Sequence, residues 1–121
     1  PLIERQTNFL LGLGAKVRFH MDSNWTNVLD LFTCFPKGTC IFDSDGNTDL
    51  EKTRDVLGPT MAFTGSVDPA LFAFGDPDDI YRVCREQIAC MGDSFILSPS
   101  CSIPANAPKE NIDAMYAAVD G

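Results

Sequence analysis

Four short apolar segments alternate with amphipathic segments along this chain of 121 residues, and this alternation is the feature that most constrains the fold. The apolar segments have the lengths and the bounding turn residues of strands, and they cover residues 16–20, 39–42, 60–64 and 94–98. The amphipathic segments are typical of helices, and they cover residues 2–12, 26–35, 49–57, 70–74, 77–91 and 109–119. Strands that alternate with helices predict a parallel sheet with right-handed crossovers.

The number of strand–helix units sets the architecture that we expect. Four units in 121 residues are about half of a (β/α)8 barrel, which typically takes about 250 residues. The sequence therefore predicts an α/β fold, half of a TIM barrel with four parallel βα units, and an open doubly wound sheet is the alternative. We expect residues 1–121 to form a single domain. Because the chain starts without Met inside a helical pattern, we also expect a fragment of a longer protein.

The charge and the hydropathy pattern argue against several classes of function. The chain has 17 acidic and 9 basic residues and a net charge of −8, which is unfavourable for binding nucleic-acid phosphates. Its longest apolar stretch, residues 9–17, is interrupted by two Gly and one Lys and is far shorter than the roughly 20 residues that span a bilayer. Five Cys without a CxxC pair, and no recognisable signal peptide, favour reduced thiols. We therefore expect a cytoplasmic protein that binds neither nucleic acid nor a membrane.

Polar side chains follow each predicted strand at its carboxyl end, where parallel βα folds place their functional residues. The only His of the chain, His20, ends the first strand, and Asp22 lies two residues further on, so an extended backbone points both side chains the same way. Cys101 follows the last strand, and imidazole, carboxylate and thiolate together form a plausible set of zinc ligands. The alternative is a hydrogen-bonded His at a strand end, with Asp22 capping the next helix.

Two other strand ends carry less specific signals. Residues 43–46 (DSDG) resemble the start of a calcium loop, but they lack the third ligand position and the bidentate Glu, so we interpret residues 43–47 as a turn. Gly65 ends the third predicted strand and suits a positive φ or a close backbone approach. Asp68 precedes Pro69 and fits a helix start and a ligand contact equally well.

Three motifs occur in an order that is more specific than any one of them. Residues 19–24 (FHMDSN) look like HxDG(N) or HxCG, residues 65–69 (GSVDP) look like GN(L/V)DP, and residues 95–112 look like FILSxGCxIPxxxPxEN. In this order they resemble the segments after the fifth, seventh and eighth strands in the uroporphyrinogen decarboxylase superfamily, which includes the cobalamin-dependent methyltransferases. The resemblance covers essentially the whole chain and implies the C-terminal half of a (β/α)8 TIM barrel.

The cobalamin-dependent methyltransferases are the branch that the resemblance brings closest. In the zinc enzymes of that branch, His and Cys of the HxC segment and the Cys after the last strand hold the metal. The resemblance therefore implies His20 and Cys101 as zinc ligands, and Asp22 occupies the place of the other Cys. A carboxylate is a harder ligand than a thiolate, in the sense of hard and soft Lewis bases, so it makes the implied metal site harder. The substrate-binding residues that the resemblance implies are Asn24, Gly65 and Asp68.

The implied function is the transfer of a methyl group between a corrinoid carrier and a thiol or another acceptor. Zinc and methylcobalamin would take part, the latter on a partner protein or as a substrate. The alternative enzyme is a uroporphyrinogen decarboxylase-like decarboxylase, although that branch has His where this chain has Cys101. A third alternative is an assembly domain, because we expect no turnover from half of a barrel mouth. Unpaired strand edges and uncovered apolar faces also predict self-association of the chain.

Overall fold

The computed structural model describes all residues from 1 to 121. The strands are β1 (Val17–Met21), β2 (Cys40–Ser44), β3 (Ala62–Val67) and β4 (Phe95–Pro99). The α-helices are α1 (Leu2–Gly12), α2 (Leu50–Leu57), α3 (Pro69–Phe74), α4 (Pro77–Met91) and α5 (Lys109–Asp120). Two short 3-10 helices cover Leu29–Phe32 and Gly92–Ser94. None of the helices combines the length and the apolar character that crossing a membrane would require.

The four strands form one sheet, in which each strand pairs in parallel with the next strand along the chain. The order β1-β2-β3-β4 runs in one direction, whereas a doubly wound sheet reverses its order at a switch point. Consecutive parallel neighbours are the arrangement found in a TIM barrel. The predicted α/β fold with four parallel strands is therefore confirmed, and it is consistent with part of such a barrel.

The sheet has two faces with different residues, because side chains alternate along a strand. The outer face carries Phe19, Phe42 and Phe63, which are register partners in β1, β2 and β3 and are at most 5% exposed. The inner face, on the opposite side of the same strands, carries Arg18, His20, Asp43, Thr64, Ile96 and Ser98. Leu57 of α2 and Phe32 of the first 3-10 helix share a buried cluster with the outer-face rings. The main core therefore lies between the outer face and the helices.

A second buried cluster joins α3, α4 and α5 to the end of β3. Its members include Phe72, Ile80 and Cys84, none of which is exposed. Asn111 of α5 is 2% exposed, and its side-chain amide donates hydrogen bonds to the carbonyls of Phe72 at 3.0 Å and Gly75 at 2.9 Å. These bonds satisfy carbonyl groups at the end of α3 that have no partner within the helix. Asn111 therefore fixes α5 against the short helix that follows β3.

The helix predicted over residues 26–35 is wrong, because only Leu29–Phe32 is helical, as a 3-10 turn. The side-chain oxygen of Asn24 accepts a hydrogen bond from the Thr26 amide at 2.9 Å, and the Thr26 hydroxyl accepts one from the Asp49 amide at 2.9 Å. Local bonds of this kind compete with helix formation. The segment is instead held as a loop that places the Phe32 ring edge-on to Phe42, with centroids 5.3 Å apart.

Two predicted turns begin later than the sequence indicates. Asp43 and Ser44 belong to β2, where they pair with His20 and Met21, so the predicted turn at 43–47 is wrong in its first two residues. Gly65 does not end β3, which continues to Val67 beside β4. In both places, hydrogen bonding to the neighbouring strand extends a segment that has turn-forming residues.

Candidate functional site

A cavity of about 320 Å³ lies at the carboxyl ends of the strands, and we call it the mouth cavity. Residues that follow or end each of the four strands line it: Asp22, Asp45, Gly46, Asn47, Ser66, Asp68, Pro69, Ser100 and Cys101. Three of these residues are carboxylates, one is a thiol, and none is Lys or Arg. The cavity therefore occupies the place where parallel βα folds hold their substrates, and its lining is acidic.

His20 lies on the inner face, two residues before Asp22 of the cavity lining, and is held from one side. Its Nδ1 atom is 2.6 Å from the Oδ2 atom of Asp43, which is its register partner on β2. The same carboxylate oxygen accepts a hydrogen bond from Arg18 Nε at 3.0 Å and forms an ion pair with Arg18 Nη2 at 2.9 Å. Asp43 is only 1% exposed, whereas 42% of the His20 side chain is exposed. A buried carboxylate therefore anchors an accessible imidazole.

The other nitrogen of His20 faces Asp22. The distance between His20 Nε2 and Asp22 Oδ1 is 3.4 Å, which is longer than a strong charge-assisted hydrogen bond. Asp22 has an exposed side chain, and its backbone carbonyl accepts a hydrogen bond from the Trp25 ring nitrogen at 2.7 Å. The expected neighbourhood of His20 and Asp22 is thus present, and Asp22 also lines the mouth cavity.

Asp45 connects the loops that follow β1 and β2. It accepts hydrogen bonds from the Ser23 amide at 2.7 Å and from the backbone and side-chain amides of Asn47, each at 2.9 Å. Partial burial alone would raise the pKa of Asp45, but these hydrogen bonds and the attraction of His20 outweigh burial and hold the pKa below its usual range. Asp45 therefore stays negatively charged at the edge of the mouth cavity at neutral pH.

The three predicted zinc ligands are only partly brought together. Cys101 is exposed and lines the mouth cavity with Asp22, but His20 is not among the lining residues. No group of three or more His, Cys, Asp or Glu side chains is arranged so that it could hold a metal ion. The donor types suit zinc, but their arrangement does not complete a set of ligands. Zinc at His20, Asp22 and Cys101 stays a prediction that this geometry does not support.

The predicted substrate-binding residues lie in three different settings. Asp68 lines the mouth cavity, and its side chain also accepts the Ala70 amide at 2.8 Å, so it caps α3 as well. Asn24 lines a separate polar depression of about 610 Å³ between the loops after β1 and β2. Gly65 lies within β3 at φ +118°, and a Cβ atom there would clash with the Ser44 carbonyl oxygen. Gly65 is therefore required for the close packing of β3 on β2.

Sequence reasoning placed Asp43 and Ser66 at strand ends but gave neither a role at the site, and the structure places both beside it. Both residues are buried, and the Asp43 Oδ1 and Ser66 Oγ atoms have no hydrogen-bond partner. The sequence signal for Asp43 was its place two residues after Ile41, because residues two apart in a strand have side chains on the same face. That signal was weak because DSDG is also a common turn sequence.

Comparison with known protein families agrees with the sheet and with the motif order. The family model described as Uroporphyrinogen decarboxylase (URO-D) matches residues 1–121, which is the whole chain. Among curated proteins, no significant match was found. The match covers the strands, the helices and every residue of the mouth cavity, so the chain belongs to the uroporphyrinogen decarboxylase family.

Proposed function

We propose that this chain forms the C-terminal part of the active site of a methyltransferase that moves a methyl group between a corrinoid carrier and a thiol or another acceptor. The observation that carries this proposal is the lining of the mouth cavity, with three carboxylates, one exposed thiol and no cationic side chain. A methyl group and a neutral acceptor can enter such a cavity without the electrostatic cost that an anionic substrate would meet. The corrinoid and its carrier protein are the partners of the proposal.

His20 has the properties of the proton acceptor in this reaction. Imidazole is the side chain that most often moves protons near neutral pH, and His20 has one nitrogen bonded to Asp43 and the other turned towards Asp22. An acceptor thiol bound at the Asp22 end of the mouth cavity would give its proton to the nearby Nε2 atom of His20. Its sulfur would take the methyl group, and the electron pair of the broken bond would stay with the corrinoid. The buried Asp43 carboxylate would stabilise the imidazolium that forms.

Decarboxylation of a polycarboxylate porphyrinogen is the alternative reaction. Its substrate would bring several carboxylates to the mouth cavity, where Asp22, Asp45 and Asp68 already contribute negative charge. The carboxylates of the substrate and of the lining would repel each other, and the cavity lining contains no Lys or Arg that would compensate their charge. In the half of the mouth that this chain forms, the acidic lining supports methyl transfer better than decarboxylation, and it gives the assembly-domain alternative no specific support.

The experiment compares the two reactions in a completed barrel, that is, in this chain joined or mixed with the strands that would close it. Methyl transfer from methylcobalamin to a thiol and CO₂ release from uroporphyrinogen are measured side by side. We expect methyl transfer, and we expect His20→Ala to slow it by about 100-fold or more. The same assay includes Cys101→Ser, which changes the exposed thiol of the mouth cavity. Cys34→Ser is its matched control, because Cys34 is also exposed but does not line the mouth cavity. CO₂ release without methyl transfer would overturn the proposal.

Zinc binding is tested separately by the metal content of the purified protein. If the resemblance holds for the metal, the wild-type protein contains zinc, and both His20→Ala and Cys101→Ser lose it while Cys34→Ser keeps it. Undiminished zinc in both variants would rule out His20 and Cys101 as ligands. This measurement does not depend on which reaction the protein catalyses.

A further inference from the structure

One oxygen atom of Asp43 lies within hydrogen-bond distance of two basic side chains. Its Oδ2 atom is 2.6 Å from His20 Nδ1, 3.0 Å from Arg18 Nε and 2.9 Å from Arg18 Nη2. The guanidinium of Arg18 is always charged and has only donors. The oxygen that it contacts is therefore the acceptor oxygen of a carboxylate, and the imidazole nitrogen beside the same oxygen has to donate.

We infer that Asp43 is a positioning residue, which holds the proton of the neutral His20 ring on Nδ1 and leaves the lone pair on Nε2. The 2.6 Å contact on Nδ1 is much shorter than the 3.4 Å distance from Nε2 to Asp22, so Asp43 binds the ring proton more strongly than Asp22 does. A carboxylate that fixes the tautomer and orientation of a histidine is a recurring arrangement in metal sites and in acid–base catalysis. The inference uses the proposed function only for the role of the free nitrogen.

The location of Asp43 explains why the arrangement is rigid. The side chain is 1% exposed between β1 and β3, and its register partners are His20 on one side and Thr64 on the other. A buried carboxylate without partners is strongly unfavourable, so the contacts with Arg18 and His20 are needed to keep it there. Its second oxygen, Oδ1, is buried without a hydrogen-bond partner, so the contacts of Oδ2 are the only ones that compensate the charge.

The test is the ¹⁵N spectrum of the His20 ring, which is unambiguous because the chain contains a single His. In the neutral ring of the wild-type chain, we expect the form with the proton on Nδ1 to exceed the other by about tenfold or more. Asp43→Leu removes the acceptor and keeps a side chain of similar size, so the preference should be lost or reversed. Asp43→Asn keeps an acceptor oxygen and should retain a reduced preference.

Asp55→Leu is the control, since it makes the same substitution at an exposed carboxylate of α2 that pairs with Arg54. This variant should give the wild-type ring spectrum. A wild-type ring with its proton on Nε2 would overturn the inference, and so would an Asp43→Leu variant that keeps the wild-type tautomer. If Asp43→Leu does not fold, the wild-type spectrum and Asp43→Asn still decide.

The ring spectrum and the turnover assay fail independently of each other. A ring protonated on Nδ1 in a protein without methyl transfer supports Asp43 as a positioning residue and contradicts the proposed function. Methyl transfer in a protein whose ring is protonated on Nε2 contradicts the inference and leaves the reaction in place. In the completed barrel, Asp43→Asn should lower kcat by about 10- to 100-fold with little change in KM.

Discussion

The outer and inner faces of the sheet reach the same degree of burial by different means. Phe42 on the outer face and Asp43 on the inner face are neighbours in β2, and each is 1% exposed. The Phe42 ring packs on Phe32, with centroids 5.3 Å apart, as part of a large apolar cluster. Asp43 is instead enclosed by an ion pair and an imidazole. Burial of the first residue stabilises the fold, whereas the second holds the His20 imidazole in place.

The difference between the faces teaches how one strand serves two purposes. The outer face depends on apolar area, which many side chains share, and its contribution is large and non-directional. The inner face depends on a few directional hydrogen bonds, whose net contribution to stability is small. Substitutions on the outer face should therefore cause the larger losses of stability, whereas substitutions on the inner face should cost little stability and mainly affect function.

The largest expected effect is that of Phe42→Ala on the outer face. Because Phe42 is 1% exposed among other rings, we expect a loss of about 3 to 5 kcal/mol in the free energy of unfolding, from lost burial and the cavity left behind. Ile41→Ala, one residue earlier on the opposite face, should cost less than half as much. Chemical denaturation measures both, and equal losses would contradict the division between the faces.

A smaller effect on the free energy of unfolding should come from high pH, through the buried Cys84 thiol on the helix side of the sheet. Burial raises the pKa of the Cys84 thiol from 9.0 to about 11, since the thiolate is disfavoured among apolar neighbours. The neutral thiol therefore stabilises the fold fully below pH 9, and this contribution of about 3 kcal/mol at most is lost as the pH rises from 9 to 11. Unfolding of the wild-type chain and of Cys84→Ala across this range isolates the effect, and parallel pH profiles would contradict it.

Thr64→Val tests a hydrogen bond on the inner face. The Thr64 hydroxyl lies 3.1 Å from the Ser98 hydroxyl, and valine keeps the shape of the side chain but removes the polar group. We expect a loss of about 1 kcal/mol in the free energy of unfolding. A loss as large as that of Phe42→Ala would show that the inner face contributes to stability as much as the outer face does.

The smallest expected effect concerns the free edge of β4. Ile96 is 54% exposed on the inner face. Apolar side chains are also exposed on the helices, such as Val119 on α5 and Phe9 on α1. We expect the chain to self-associate through these surfaces, and Ile96→Ser should weaken association by up to about fivefold. Sedimentation velocity over a range of concentrations measures this. A chain that stays monomeric at high concentration would contradict the expectation.

The fold was predictable because its signals are local and periodic. Residues 2–12 and 77–91 have the patterns that α1 and α4 realise, and Asp76 caps α4 by accepting the Asp79 amide at 2.9 Å. The segment at 26–35 was not predictable in the same way. Its helical pattern competes with hydrogen bonds that the side-chain oxygens of Asn24 and Thr26 accept, and one of those bonds comes from the distant Asp49 amide.

The candidate site was predictable only in its location. Strand ends pointed to His20, Asp22, Asp68 and Cys101, and three of these line the mouth cavity. The pairing of His20 with Asp43 depends on the register of β1 against β2, which joins residues 23 positions apart. Local sequence does not encode that register, so Asp43 was interpreted as part of a turn.

The most direct test of the account is to measure methyl transfer and unfolding for the same His20→Ala variant. His20 has a side chain that is 42% exposed on the inner face, and Arg18 still pairs with Asp43 when the imidazole is gone. We predict that the free energy of unfolding changes by no more than about 1 kcal/mol, while methyl transfer in the completed barrel slows by about 100-fold or more. Undiminished methyl transfer by the folded variant would contradict the account.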